Sequence, residues 1–233
     1  MHVGRNNTCW TYQMGDGSNR EDLEEVTYEN DLGVKFQNDL HFNQHITEKV
    51  QLANRNLGLI ARTFKYLDDD MMKTLYKALV RPHLEYASTV WSPYKMKEKK
   101  LIEGVQRRAT KLLPYLRNKP YDERLRHLGL PTLEYRRYRS DLIQVYKLLH
   151  GIDNADYRIF FKKSTTQLRG HNQKLFQRQN KLLTRKMTFS QRVVPHWNKL
   201  PEAAVDAQSV NTFKSQLNLH TKDLDWKFCP SWY

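Results

Sequence analysis

The sequence predicts a mainly α-helical protein: an antiparallel helical bundle with a small N-terminal β segment and a basic C-terminal α/β subdomain. Three observations lead to this fold class. Apolar residues across positions 46–64 recur in alternating steps of four and three, which is typical of one buried face of a helix. Residues 95–113 repeat that pattern and add many cations. With 39% hydrophobic and 12% aromatic residues among 233, the chain is also too apolar to be disordered.

We expect three regions, at residues 1–38, 39–161 and 162–233. The first contains short stretches with the composition of strands at residues 9–12 and 25–28, separated by the turn-forming sequence GDGSN. Leu32, Val34 and Phe36 then alternate with other residues, which is the period of a half-buried strand. Strands as few and short as these do not bury a core unaided.

The central region is predicted to be a bundle of helices joined by short loops. Asp68, Asp69 and Asp70 precede an apolar helical stripe, where carboxylates cap free backbone N–H groups. Pro82 is expected to break or kink that helix. Thr132 is a predicted N-cap for a long helix that ends near residue 150.

The C-terminal region begins with a change of composition. Residues 162–186 lose the helical period, and the apolar pairs at 175–176 and 182–183 indicate two short strands or an extended arm. Residues 189–200 are predicted to form a helix, and Ser209 is predicted to cap a last one.

The helix predicted over residues 95–113 has the pattern expected of a surface that contacts phosphates. At 100° per residue, Lys100, Arg107 and Lys111 lie opposite the apolar stripe, and Arg108 lies beside them. Such a row of cations suits a phosphate backbone. The alternative is that these cations are ordinary surface charge.

Charge is distributed very unevenly along the chain, whose net charge is +14. Residues 1–50 have four Lys/Arg and nine Asp/Glu, whereas residues 162–199 have ten Lys/Arg and no acidic residue. We therefore predict that the basic regions bind nucleic acid, unless the acidic first fifty residues neutralise them instead. Besides the four cations above, the candidate nucleic-acid-binding residues are Arg136, Arg137, Arg169, Lys174, Arg178, Lys181, Arg185, Lys186 and Arg192.

Other classes of site have weaker support. Cys9 and Cys229 have no CxxC or Cys/His cluster near them, so the sequence indicates neither a zinc site nor a disulfide framework. His41 and His45 are interpreted as a solvated pair. No apolar run approaches the roughly 18 residues of a membrane span, and no signal peptide is present, so we expect an intracellular protein without a membrane partner.

Seven strings of this sequence, in this order, resemble the region that follows the polymerase core in reverse transcriptases of non-LTR (LINE-type) retrotransposons, especially the jockey-like animal elements. The resemblance covers nearly the whole chain. The strings are MHVGRNN at residues 1–7, DLGV at 31–34, LVRPHLEYASTVWSP at 79–93, LIEGVQRRATKLL at 101–113, RLRHLGL at 124–130, FSQRVVPHWNKLP at 189–201 and SVNTFKSQL at 209–217.

The resemblance implies that residues 1–38 are the end of the polymerase palm, that the helices form a thumb-like bundle, and that Met1 is an internal residue of a longer protein. It implies RNA and DNA template–primer as partners, together with an upstream palm. Magnesium is implied only for the full-length polymerase. We expect no cofactor and no small-molecule substrate for this chain.

The string YLDD at residues 66–69 matches the YxDD motif whose aspartates bind catalytic magnesium in reverse transcriptases. The helical stripe that follows it indicates a helix cap instead of an active site. We therefore predict no catalytic residue in this chain and no activity of the chain alone. The alternative function is a non-catalytic helical interaction protein, a domesticated or relic fragment, that binds an acidic protein partner.

Overall fold

The computed structural model describes residues 1–4, 7–17, 19–165, 170–222, 224 and 227–230. These residues form a mainly helical protein with two small antiparallel sheets near the N-terminus, which confirms the predicted fold class. The strands are β1 (Gln13–Met14), β2 (Glu21–Asp22), β3 (Tyr28–Asp31) and β4 (Val34–Gln37), paired β1 with β2 and β3 with β4.

The β3–β4 hairpin differs from the predicted strand at its first residue. Leu32 and Gly33 both have positive φ, of 45° and 78°, as a two-residue hairpin turn requires. The strand therefore begins at Val34, and Leu32 is exposed in the turn. The Tyr86 hydroxyl donates a hydrogen bond of 2.9 Å to the Leu32 carbonyl and so ties the turn to the helices.

The first helices follow the predicted pattern. They are α1 (Asn43–Thr63), α2 (Asp69–Leu75), α3 (Arg81–Glu85), α4 (Ser88–Trp91) and α5 (Met96–Ala109). The predicted stripe of α1 is buried, from Ile46 to Ile60. Between α2 and α3, residues Tyr76–Val80 form a π-helical turn just before Pro82. A widened turn there is consistent with a proline that offers no N–H to the helix ladder.

The remaining helices are α6 (Tyr121–Leu128), α7 (Leu133–Leu149), α8 (Leu183–Lys186), α9 (Phe189–Arg192), α10 (Val194–Trp197), α11 (Glu202–Val205) and α12 (Val210–His220). Thr132 and Ser209 cap α7 and α12 as predicted, each accepting a bond of 3.1 Å from a backbone N–H three residues on. The helix predicted over 189–200 is divided in two, and Pro195 lies at the start of the second part.

Of the two alternatives for residues 182–183, a strand or an extended arm, the strand is wrong, because Leu183 begins the single helical turn α8. The other predicted strand is limited to one isolated bridge between Lys163 and Leu175. Short 3₁₀ turns at Thr110–Leu112, Pro114–Leu116 and Tyr157–Ile159 complete the described elements.

Helix α7 contributes to two hydrophobic cores. The first core contains buried residues from Val34 to Leu133, and the second contains buried residues from Leu142 to Leu217. Because one rigid helix contributes to both, the orientation of α7 couples the N-terminal helices to the C-terminal region.

A buried polar network fixes the start of α7. Glu103 on α5 accepts hydrogen bonds from the Leu133 backbone N–H (3.0 Å) and from the Tyr121 hydroxyl (2.6 Å). The Gln106 amide donates to the Pro131 carbonyl at 3.1 Å. Burial raises the pKa of Glu103, and these donors oppose that shift. The carboxylate therefore satisfies a free N–H group in the first turn of α7.

The interpretation of His45 as half of a solvated pair is wrong. Its side chain is 1% exposed, its Nδ1 accepts a bond of 3.1 Å from the Lys35 backbone N–H, and its ring packs 5.2 Å from that of Trp91. Burial, assisted by the charge of Lys49, lowers the pKa of His45 to about 4. The imidazole is therefore neutral in the folded protein.

We predict that His45 makes the protein less stable as the pH falls. The unfolded chain binds the proton near pH 6.5 and the folded chain only near pH 4, so the free energy of unfolding decreases between these values by up to about 3 kcal/mol. His45→Asn keeps an acceptor for the Lys35 N–H and should flatten this dependence. Urea unfolding from pH 4 to pH 8 measures both proteins, and equal slopes would contradict the assignment.

Candidate nucleic-acid interface

Helix α5 places a row of cations on the surface. Ile102, Val105 and Ala109 are buried, on the side of α5 that packs against α1 and α7. The opposite side is exposed. The amphipathic period read from the sequence is therefore the actual division between core and solvent on this helix.

Four exposed cations form what we call the α5 stripe: Lys97, Lys100, Arg108 and Lys111. The first three lie within about 80° of the helix circumference. Lys111 follows in the adjoining 3₁₀ turn. Lys97 is not among the residues predicted from the sequence. Its position three residues before Lys100 would have been enough to place it on the same side of the helix.

Two arginines at this end of α5 contact neighbouring side chains. The Arg108 Nε and Nη2 atoms donate to the Asn54 Oδ1 on α1, at 3.1 and 2.8 Å. Because Asn54 is neutral, this contact orients the guanidinium without neutralising it. Arg107 is half-buried, with its guanidinium carbon 4.9 Å from the centre of the Tyr121 ring. Stacked in this way, Arg107 is less available to a phosphate than the α5 stripe.

Arg136 and Arg192 form internal ion pairs. Arg136 on α7 makes a two-pronged contact with Glu85, with 2.8 Å between Nη2 and Oε2. Arg81 also pairs with Glu85, at 3.6 Å. Arg192 on α9 contacts the Asp141 carboxylate through Nε and Nη2, at 2.8 and 2.9 Å. Each guanidinium therefore has a carboxylate of the protein as its counter-ion.

Arg137 is buried. Its side chain is 4% exposed, and its Nη1 and Nη2 atoms have no hydrogen-bond partner. Burial lowers the pKa of Arg137, while the surrounding carboxylates of Glu103, Glu134, Glu85 and Asp141 oppose that shift. The guanidinium is a countercharge for these acids and lies too deep to reach a phosphate outside.

The segment of residues 162–199, which has no acidic residue, exposes several of its cations to solvent. Arg178, Lys181, Arg185 and Lys186 are exposed, and Lys174 is half-buried. Arg169 lies outside the described residues. The first fifty residues do not neutralise this segment through any ion pair among the residues described, and their own pairs are local, such as Lys35 with Glu48. These ion pairs therefore do not support the alternative that the acidic first fifty residues neutralise the basic regions.

Asp68 of the YLDD string is the N-cap of α2, and Asp69 and the following Asp70 lie in its first turn. Asp68 accepts a bond of 2.7 Å from the Met71 backbone N–H, which confirms the predicted cap. Asp69 lies 2.9 Å from the His127 ring, and Asp70 pairs with Lys73 at 2.7 Å. These carboxylates engage different partners, so they do not fit the two-magnesium site that the resemblance implies for the full-length polymerase.

One group of potential metal ligands occurs in the described part of the chain, formed by His2, Cys9 and Glu25 with their ligand atoms within 4.8 Å of one another. Cys9 and Glu25 are exposed, and structural zinc sites have four ligands, so we assign no metal to this group. None of the described helices is both long enough and apolar enough to cross a bilayer.

Comparison of the chain with protein-family models, with curated proteins and with solved structures gives no match.

We predict that Arg192 stabilises the fold. Arg192→Ala leaves the buried Asp141 carboxylate without its countercharge and should lower the free energy of unfolding by about 3 kcal/mol. Arg185→Ala, at an exposed position without a described ion pair, should change it by less than about 0.5 kcal/mol. Denaturant unfolding of both variants tests this, and comparable small effects would show that the Asp141 pair is not structural.

We also predict a cap role for Asp68. Asp68→Ala should lower the free energy of unfolding by about 1 kcal/mol, because the N–H of Met71 loses its acceptor. The matched control is Asp70→Ala, two residues away at the surface, which should have a smaller effect because its ion pair with Lys73 is exposed to solvent. Thermal or urea unfolding distinguishes the two, and a larger loss from Asp70→Ala would refute the assignment.

Proposed function

We propose that this chain is the thumb and C-terminal part of a non-LTR retrotransposon RNA-directed DNA polymerase, and that it binds template–primer RNA and DNA through its basic surfaces. The proposal includes no catalytic centre in this chain. The single observation that carries it is the α5 stripe, a row of exposed cations on a helix whose other side is fixed in the core.

The distribution of charge supports nucleic acid over a small anion. The α5 stripe extends over about four turns of chain, and the exposed cations at residues 178–186 supply a second basic surface. Neither surface is a closed pocket. Extended rows of Lys and Arg contact successive phosphates, and such contacts set affinity and register while carrying little sequence information.

The proposed interface is narrower than the one predicted from sequence. It consists of the α5 stripe with Arg107, and of the cations at positions 174, 178, 181, 185 and 186. Arg136, Arg137 and Arg192 are excluded from it, because Arg137 is buried and the half-buried Arg136 and Arg192 pair with carboxylates of the protein.

The upstream palm and its magnesium belong to the same proposal. In it, the palm performs nucleotide addition, and this chain holds the duplex. The carboxylates of residues 68–70 contribute to the stability of α2 instead of to metal binding.

The test is the salt dependence of RNA and DNA binding. Replacing all four residues of the α5 stripe by Gln should weaken binding and reduce the slope of log K against log salt by about 0.9 for each lost phosphate contact on duplex DNA. A charge-matched control replaces four scattered exposed cations, Arg20, Lys65, Lys199 and Lys222. Fluorescence anisotropy across a salt series measures both proteins.

Equal losses in the two variants would mean that net charge, and not the α5 stripe, drives binding. A wild-type chain that fails to bind either nucleic acid would overturn the proposal. It would favour the alternative of a helical interaction protein whose basic surface meets an acidic protein partner.

A further inference from the structure

A large open cleft lies between the helical bundle and the C-terminal region. Its volume is about 910 Å³, within the range of pockets that bind organic ligands. The helical bundle contributes Thr89 and Val90 of α4 to its lining, and the C-terminal region contributes Arg185, Met187 and Phe189. The C-terminal half of α7 also lines the cleft.

The lining of the cleft is apolar and partly aromatic. Phe160 is 40% exposed within it, and its ring lies 6.4 Å from that of Phe189 in an edge-on arrangement. Val90 and Leu40 are also exposed there. An exposed ring beside apolar side chains offers a stacking surface for a flat aromatic ligand.

The charges around the cleft favour an anionic ligand. Arg185 is in the wall, and Lys181 and Lys186 are exposed next to it along the chain. Asp153 is the one acidic residue of the lining, and it is occupied by the Gln144 amide at 2.7 Å and by Lys147 at 3.6 Å. A second copy of this chain would bring another net charge of +14 to this basic region, which opposes self-association there.

We infer that this cleft binds unstacked bases of a single nucleic-acid strand, with Phe160 as a stacking platform and Arg185 and its neighbours on the flanking phosphates. This inference rests on the proposed nucleic-acid binding and specifies the strand that one site takes. A duplex keeps its bases stacked and paired inside, so it leaves the apolar lining without a partner. A single strand brings both flat bases and phosphates.

The experiment compares two probes on the full chain. One is a single-stranded oligonucleotide of about 12 nucleotides with a central 2-aminopurine, and the other is the same strand in a duplex. Phe160→Leu keeps an apolar side chain but removes the ring. It should lower single-strand affinity about 5- to 10-fold, at the low end of measured stacking losses, and leave duplex affinity unchanged. Phe160→Tyr should keep wild-type affinity, because the ring remains.

The matched control is Ile159→Ala, at the exposed neighbouring residue that does not line the cleft, and it should change neither affinity. The fluorescence of 2-aminopurine should be quenched in the wild-type complex and regain intensity in Phe160→Leu. Circular dichroism and unfolding confirm that each variant is folded.

The outcomes separate this inference from the proposed function. Single-strand affinity that is lowered by loss of the α5 stripe but unaffected by Phe160→Leu overturns the cleft assignment alone. Absence of any nucleic-acid binding overturns both. Concentration-dependent dimerisation that Phe160→Leu abolishes would show that the cleft takes a second copy of the chain, and would also overturn the assignment.

Discussion

The contact between Arg192 and Asp141 is the constraint on which the arrangement of the two cores depends. Asp141 lies on the buried side of α7, where a carboxylate alone would be very unfavourable. Arg192 supplies the countercharge from α9, and the same guanidinium donates to the Thr89 carbonyl of α4 at 2.7 Å and to the Met187 carbonyl at 3.1 Å. One side chain thus joins three parts of the fold, and its partners specify the geometry of their contact.

Local features of the fold could be predicted from sequence because their causes lie within a few residues. The caps at Asp68, Thr132 and Ser209 depend on a side chain and an N–H group three positions on, and the stripe of α1 depends on helical period alone. The β3–β4 turn was harder to predict, because alternation at Leu32 suggested a strand while the turn required positive φ there. Tertiary contact with Tyr86 holds that turn.

The candidate site was only partly predictable, because the sequence alone does not show whether a Lys or Arg side chain faces solvent or a buried carboxylate. Lys100, Lys111 and Arg185 are exposed, whereas Arg137 and Arg192 meet carboxylates from distant parts of the chain. Position on one helix cannot distinguish these cases, since the deciding partner is contributed by another element. The cleft could not be predicted from the sequence for the same reason, because its lining comes from segments about one hundred residues apart along the chain.

One of the internal arginines, Arg192, also contacts residues that line the cleft. Thr89 and Met187, whose carbonyls accept the bonds from Arg192, both line that cleft. The guanidinium therefore joins two of the segments that line the cleft in which Phe160 is exposed. A buried ion pair is weak evidence for stability in general, because its desolvation offsets much of its attraction, but it can specify a single geometry. In the proposed binding mode, Arg192 therefore acts on the strand by positioning segments that line the cleft, without touching a phosphate.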